Sequence, residues 1–421
     1  MGKRVRVALL GMLVTAGAWA GPAATSTAAT TTAAALQPAY GSVVVEPQDP
    51  NRQYRAMPSL QYVTWTDAAG VVRHRFVRSF QVSADGDPAV KLRIEYQDAA
   101  GKWQAALDAR TGGPLLDSAD AQFAKVGNLF TATNGDLVAV EELGRVDAAG
   151  KRYAVRWTSA DGGVSWQRSV AYFDFTGGTI SSGTGRLFQG VLTLPDGSQV
   201  VPFYAAHQGT LSAAYLLSGN HDGTAWKRAS TVFLSGTYNY TEATVARRAD
   251  GRLLMVTRLD ETSGGYAYSR LLGRVTTAPV NSAADLAAAT WGAAYALKVP
   301  GAADDTAVRG VNPVLHTMDQ GVQMLVFGRP RNKITFSYDG GTTWSTAHSF
   351  YDNLPTGCSG GYGVHPCDTL GSSGYQGVAV TGPRTATVLG DNCQSGWGCA
   401  GAYTYPHTTD DRLWSATVTL S

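Results

Sequence analysis

Apolar and polar residues alternate along short stretches of this chain, and a glycine-bearing turn divides most of these stretches into pairs. The pattern is plain in YVTWTDAAGVVRHRF, LFTATNGDLVAVEE, GVLTLPDGSQVVPFY, TVARRADGRLLMVTR, PVLHTMDQGVQMLVF and GVAVTGPRTATVLG. Alternation with period two marks a strand with one buried face, and a short Gly turn between two such runs predicts a β-hairpin. The turns fall at Asp67–Gly70, Asn134-Gly135, Asp196-Gly197, Asp250-Gly251, Asp319–Gly321 and Gly382-Pro383. From glycine to glycine the spacings are 65, 62, 54, 70 and 61 residues.

A second periodicity agrees. Trp103, Trp166, Trp226 and Trp344 each follow a Gly-containing turn, at spacings of 63, 60 and 118 residues, the last close to two periods. Trp291 stands at the missing place, although its flank, AAATW, has a helical look. A unit of about 60 residues with a central hairpin and outer strands suits a four-stranded propeller blade, whose radial arrangement buries both sheet faces. The expected fold is therefore all-β: a six-bladed β-propeller of four-stranded antiparallel blades, with a seventh blade left open. A β-sandwich array is the alternative, but it does not call for repeats of such even length. The C-terminal LWSATVTLS alternates as well and is expected to close the ring. The 49 Gly and 19 Tyr, with little helical periodicity, fit an all-β chain.

One eight-residue phrase occurs twice, as SADGGVSW at 159–166 and SYDGGTTW at 337–344, with worn copies at 96–103 and 220–226. The phrase resembles the Asp-box (BNR repeat) of sialidase (neuraminidase)-like propellers. Its residue types are structural. Asp at a turn accepts backbone N–H bonds, Gly takes positive φ, and Trp buries a large ring with its N–H near the surface. Propellers that carry this element include hydrolases, lyases and non-catalytic proteins, so the phrase by itself assigns no reaction.

The resemblance extends beyond the box. Tyr54-Arg55-Ala56-Met57-Pro58 is similar to the aromatic-Arg-Ile-Pro opening of sialidases, with an altered third position and one residue inserted. TEATVARRADGRLLMVTR matches the mid-chain Glu, hairpin and second Arg, at Glu242 and Arg258. GRPRNKITFSYDGGTTW supplies a third Arg at Arg329, with Arg331 as its rival, and SSGYQGVAV supplies Tyr375. By resemblance, Arg55, Arg258 and Arg329 would grip a substrate carboxylate, Tyr375 would be the nucleophile and Glu242 its base. The family's acid is an Asp on a loop after the first Arg; SADGDPAV offers Asp85 or Asp87, while Asp67 belongs to a hairpin turn.

Chemistry explains these types. Guanidinium forks suit a carboxylate. A ketosidic centre that bears its own carboxylate would repel an Asp or Glu nucleophile, and sialidases answer with a tyrosine. A phenol with an ordinary pKa near 10 needs a base beside it. Each residue also has a plainer reading. Arginines at strand ends often form ion pairs only, and Tyr375 is one of 19 tyrosines. His207 in PFYAAHQGT and His365 in GVHPC are more often hydrogen-bonded structural residues.

Three functions are compatible with these residues. The leading one is an exo-acting, sialidase-like glycoside hydrolase that takes terminal sialic acid from glycans and needs no metal for the reaction. The second is a polysaccharide lyase acting next to a uronic acid, with His207 as its discriminating residue. The third is a non-catalytic propeller that binds anionic glycans.

The rest of the chain concerns location. Lys3, Arg4 and Arg6 precede an apolar run from Val7 to Val14, and Ala18-Trp19-Ala20 follows, which is the pattern of a secretory signal peptide over 1–20. An Ala/Thr-rich linker over 21–40 is expected to be disordered, with a single propeller domain from 41 to 421. Removing three leader cations from the 34 Lys and Arg leaves 31 against 32 acidic residues, or −1. Nothing in that balance favours nucleic acid or an anionic membrane, and a secreted monomer is expected. Cys358, Cys367, Cys393 and Cys399 all lie in the last quarter. Two disulfides fit an exported chain, with three pairings open; a four-thiolate zinc site is the alternative, which the spacings suit poorly. Structural calcium is left open.

Overall fold

The strands form a succession of antiparallel meanders in chain order. The computed structural model describes residues 36–47, 55–82, 92–117, 126–176, 180–207, 211–260, 270–300, 310–328, 332–350, 374–392 and 412–421. Its first meander runs Ala56–Thr66, Val72–Gln81, Leu92–Gln97, Trp103–Ala105, and its second Val126–Thr131, Leu137–Glu141, Arg152–Ser159, Ser165–Asp174. The third runs Ile180–Leu187, Gln199–His207, Ser212–Gly219, Ala225–Phe233, joined to the second by a short parallel pairing of Tyr172–Asp174 with Ala225–Lys227. The fourth runs Asn239–Arg247, Leu253–Asp260, Arg270–Val275, Tyr295–Ala296; the fifth Val311–Thr317, Gln323–Gly328, Lys333–Ser337, His348–Ser349. The sixth runs Gln376–Gly382, Thr385–Asn392, Arg412–Leu420. Every predicted turn joins the first two strands of a meander, and Gly70, Gly135, Gly197, Gly251 and Gly321 all take positive φ there.

The last strand pairing departs from expectation. The C-terminal strand Arg412–Leu420 lies inside its sheet, and the outer position is taken by N-terminal residues, Pro38–Tyr40 and Val44–Val45, paired against it. Residues 38–45 are thereby hydrogen-bonded to the C-terminal strand, and Pro38–Ser421 forms one compact unit.

Buried apolar faces stack meander on meander. Val77 and Ile94 of the first pack with Trp157 and Trp166 of the second, and Phe130 of the second with Phe203 and Trp226 of the third. Leu216 of the third meets Met255 of the fourth, and Val256 of the fourth meets Phe327 of the fifth. Phe350 of the fifth lies on Trp414 of the sixth with ring centroids 5.1 Å apart, and Leu389 of the sixth packs with Leu60 and Phe80 of the first. The sheets thus pack in a cycle, as residues buried on both faces require.

The two copies of the eight-residue phrase fold alike. Ser159 Oγ donates to Asp161 and accepts from the Gly163 N–H at 2.9 Å, while Asp161 Oδ1 accepts the N–H groups of Val164 and Ser165 at 3.1 and 3.0 Å. Ser337 and Asp339 repeat these bonds with Gly341, Thr342 and Thr343. The paired glycines have φ of 72° and 94° in one copy and 74° and 95° in the other. A Cβ on Gly163 would lie 2.6 Å from Val77, and one on Gly341 2.4 Å from Leu254, so the box docks each hairpin closely on its neighbour. Trp291 is not part of such a box. It follows a short helix, Ala283–Ala288, and donates to Ser230 Oγ at 3.0 Å.

Candidate functional site

The first-strand segments of the meanders are hydrogen-bonded to one another across the middle of the ring. Gln61 donates to Leu129 O at 2.8 Å, Gln189 to Pro58 O at 3.0 Å, and Asn312 Nδ2 to Gln376 O at 3.4 Å. All six first strands carry a register shift, and three of these bulges bear on the site. Opposite Phe80 stand Met57 and Pro58; opposite Phe327 stand Asn312 and Pro313. Between the pairs Thr241–Arg258 and Ala243–Thr257, Glu242 is the extra residue. Bulges re-aim side chains, and proline tolerates a bulge because no ladder N–H is asked of it.

Glu242 is the hub. Its Oε1 accepts from Arg258 Nη1 at 2.9 Å and from the Tyr375 hydroxyl; its Oε2 accepts the Asn312 N–H at 2.8 Å. Arg258 also pairs through Nε with Asp260 Oδ1 at 2.6 Å, and Asp260 Oδ2 accepts from Thr241 Oγ1 at 3.2 Å. Glu242 and Arg258 are each only 4% exposed. Tyr375 packs against Ala56 and Met57 at the start of the first meander. Tyr204 and the Arg186–Glu142 pair, at 3.5 Å, add charge and a second phenol to the same surroundings.

Electrostatics sets the resting protonation. Burial opposes charge on Glu242, but the Arg258 guanidinium, the Tyr375 hydroxyl and the Asn312 N–H outweigh it, holding the carboxyl below its usual range. Burial also opposes charge on Arg258; Glu242 and Asp260 outweigh that and hold its proton more firmly than usual. Burial and the Glu242 charge push Tyr375 well above 10, against Arg186. Burial likewise pushes Tyr204 to about 12. The ground state is therefore carboxylate, guanidinium and neutral phenol. Tyr375 is placed to become a nucleophile only as its proton passes to Glu242, and the two oxygens already share a hydrogen bond.

The structure thus brings Glu242, Arg258 and Tyr375 into direct contact. Arg55 stands beside Ala56, and its Nη1 pairs with Glu46 Oε2 at 3.1 Å; Glu46 also binds Arg78, which in turn binds Glu95 at 2.6 Å. His207 shares a hydrogen bond with Tyr215 at 2.8 Å within the third meander, away from the contacts of Glu242. Asp67 caps its own hairpin and pairs with Arg73 at 2.9 Å. Asp85, Asp87, Arg329, Arg331, His365 and all four cysteines lie outside the described residues, as do the predicted leader and most of the linker. Among the described residues no group of three or more His, Cys, Asp or Glu is gathered to hold a metal, and no helix is long and apolar enough to cross a membrane.

Three site residues have only weak sequence signals, and two have none. Asn312 and Met57 each precede a proline where a strand is expected, a hint of a bulge. Asp260 follows Arg258 by two positions and so shares its face of the strand. Tyr204 and Arg186 carry no local pattern at all.

Fold and geometry together give an all-β chain with a propeller-like arrangement of sheets around one cluster of buried charge. Among solved structures the chain is similar to a protein of unknown function from Dyadobacter fermentans (15% identity, 91% of this chain and 99% of that one covered, TM-score 0.60). It is also similar to an α-L-arabinanase from Penicillium chrysogenum (13%, 91% and 98%, 0.52) and to a Hadza microbial sialidase (14%, 86% and 65%, 0.53). No protein-family model matches the chain, and no curated protein matches it in sequence.

Proposed function

We propose that this protein is a secreted, exo-acting, sialidase-like glycoside hydrolase built on a six-bladed propeller, working as a monomer. The observation that carries the reading is the contact of the Tyr375 hydroxyl with Glu242, itself held by Arg258. Tyr375 would attack the anomeric carbon as its proton passes to Glu242, with configuration retained through a tyrosyl-glycosyl intermediate. Asp85 or Asp87 would protonate the leaving group. Arg258, with Arg55 and Arg329, would hold the carboxylate of a terminal sialic acid. An arriving carboxylate would compete with Glu242 and Asp260 for Arg258, loosening the hold on Glu242 and making it a better base at the moment it is needed. The six meanders would be the six blades, with Asp-box turns at the rim.

Incubation with a fluorogenic sialoside, a uronate-bearing polysaccharide and an arabinan tests the proposal. Release of fluorophore alone supports it. Ultraviolet absorbance from an unsaturated uronate would show elimination instead, and release of arabino-oligosaccharides would show a neutral-sugar hydrolase. Binding of anionic glycan without turnover would show a lectin-like propeller.

A further inference from the structure

Only three non-glycine residues among those described have positive φ: Met57 at 53°, Asn312 at 43° and Gln320 at 55°. Gln320 lies in a hairpin turn. The other two share a construction. Each sits in the bulge of a first strand, each is followed by proline, and each turns its backbone N–H onto a buried carboxylate of another meander. Asn312 donates to Glu242 Oε2 at 2.8 Å, and Met57 donates to Asp391 Oδ2 at 3.0 Å. Left-handed backbone is strained for an ordinary L-residue, and asparagine tolerates it better than most. Asn312 is 1% exposed and its side chain reaches Gln376 O at 3.4 Å, next to Tyr375, so the conformation is fixed from both ends.

The consequence falls on Glu242. A carboxylate has two oxygens, and a site that uses it as a base needs one of them aimed at the proton. We propose that Asn312 is the positioning residue of this site: its left-handed backbone gives an N–H to Oε2 of Glu242, which turns Oε1 towards the Tyr375 hydroxyl and Arg258. The catalytic part of this assignment rests on the proposed hydrolase reading; the positioning part does not. An N–H to carboxylate bond is charge-assisted and favours the ionised form. The other groups that bear on Glu242 are Arg258 with its partner Asp260, Tyr375, and Tyr204 beside the Arg186–Glu142 pair.

Backbone conformation can be tested by side chain. Asn312→Gly keeps left-handed backbone available at no steric cost, whereas Asn312→Val, β-branched, disfavours it strongly. The acid limb of the kcat/KM profile should stay at its wild-type position in the Gly variant, whatever its kcat. In the Val variant it should move to higher pH by about one unit, a tenfold change in proton affinity. A purely structural role would lower activity without moving the limb. Nuclear magnetic resonance gives a readout that needs no turnover: the backbone amide of residue 312 in the wild type and the Gly variant should shift with the titration of Glu242 and lose that response in Glu242→Gln. An amide that ignores Glu242, or a Val variant with the wild-type limb, would overturn the proposal. Should no glycoside be turned over, the hydrolase reading fails and the amide titration still decides; should the Val variant not fold, the wild-type and Gly titrations decide.

Discussion

The Tyr375 hydroxyl donates to Glu242 Oε1 across 133 positions of sequence, joining the start of the sixth meander to a bulge in the fourth. If that bond is the proton path, both ends are indispensable for different reasons. Tyr375→Phe should remove the nucleophile, and Glu242→Gln should remove the base, a loss on the order of 10²–10⁴-fold in kcat. Unchanged circular dichroism would show that the fold survives in each. Measured rates of fluorogenic sialoside hydrolysis close to wild type in either variant would rule out these two roles.

Arg258 is buried between two carboxylates, Glu242 and Asp260. Removing one partner of such a pair leaves an uncompensated buried charge, typically at about 3–5 kcal/mol. Arg258→Met should therefore lower stability by that order in urea denaturation. Adding Glu242→Gln to it should recover a good part of the loss, because the stranded charge goes too. Additive losses in the double variant would mean that the two residues do not act as a pair.

Glu242 and His316 both contribute to the pH dependence of stability, and Glu242 acts at the lower pH. Its folded carboxyl titrates below the ordinary value of 4.5, so the unfolded chain takes up the proton first. The stability from its pairing is whole above 4.5 and is lost as pH falls through the lower folded value. His316 acts earlier. Burial lowers its pKa from 6.5 to about 4. Between those values the unfolded imidazole binds a proton that the folded one refuses, so stability falls as pH drops from 6.5 towards 4, at no more than about 1.4 kcal/mol per pH unit. Denaturant titrations over this range should show that slope in the wild type and a flatter one in His316→Gln.

The doubled glycines of the eight-residue phrase should matter for stability alone. Gly341→Ala puts a Cβ 2.4 Å from Leu254 at φ 95°. Strain of this kind typically costs about 1–3 kcal/mol. Thermal denaturation should register it, while kcat per folded molecule stays at the wild-type value. An unchanged melting temperature would mean that the hairpin can move off its neighbour freely.

How much of this was legible in the chain depends on the range over which each signal acts. Hairpin turns are local, and all six lie where alternation and glycine place them. Glu242, Arg258 and Tyr375 were singled out by the resemblance alone: one hairpin carries the first two in the family's pattern, and Tyr375 stands at the start of a late repeat, where the family has its Tyr. Arg55 shows the limit: its motif marks the right strand, but its partner Glu46 lies on the N-terminal segment, which no local pattern links to it. The same holds for ring closure by Pro38–Tyr40, and for the bond from Met57 to Asp391, 334 positions away. Backbone φ at Asn312 is set by packing between meanders, and only the following Pro313 hints at it.

The proposed mechanism stands or falls on a bond between the Tyr375 oxygen and the sugar, which covalent trapping would reveal. A fluorinated sialosyl fluoride slows breakdown of a glycosyl-enzyme intermediate more than its formation, so the labelled residue can be read by peptide mass spectrometry. The expected result is one added sialosyl mass on the peptide containing Tyr375, absent in Tyr375→Phe. A label on Glu242 or Asp260, or steady turnover of sialoside by Tyr375→Phe, would overturn the mechanism.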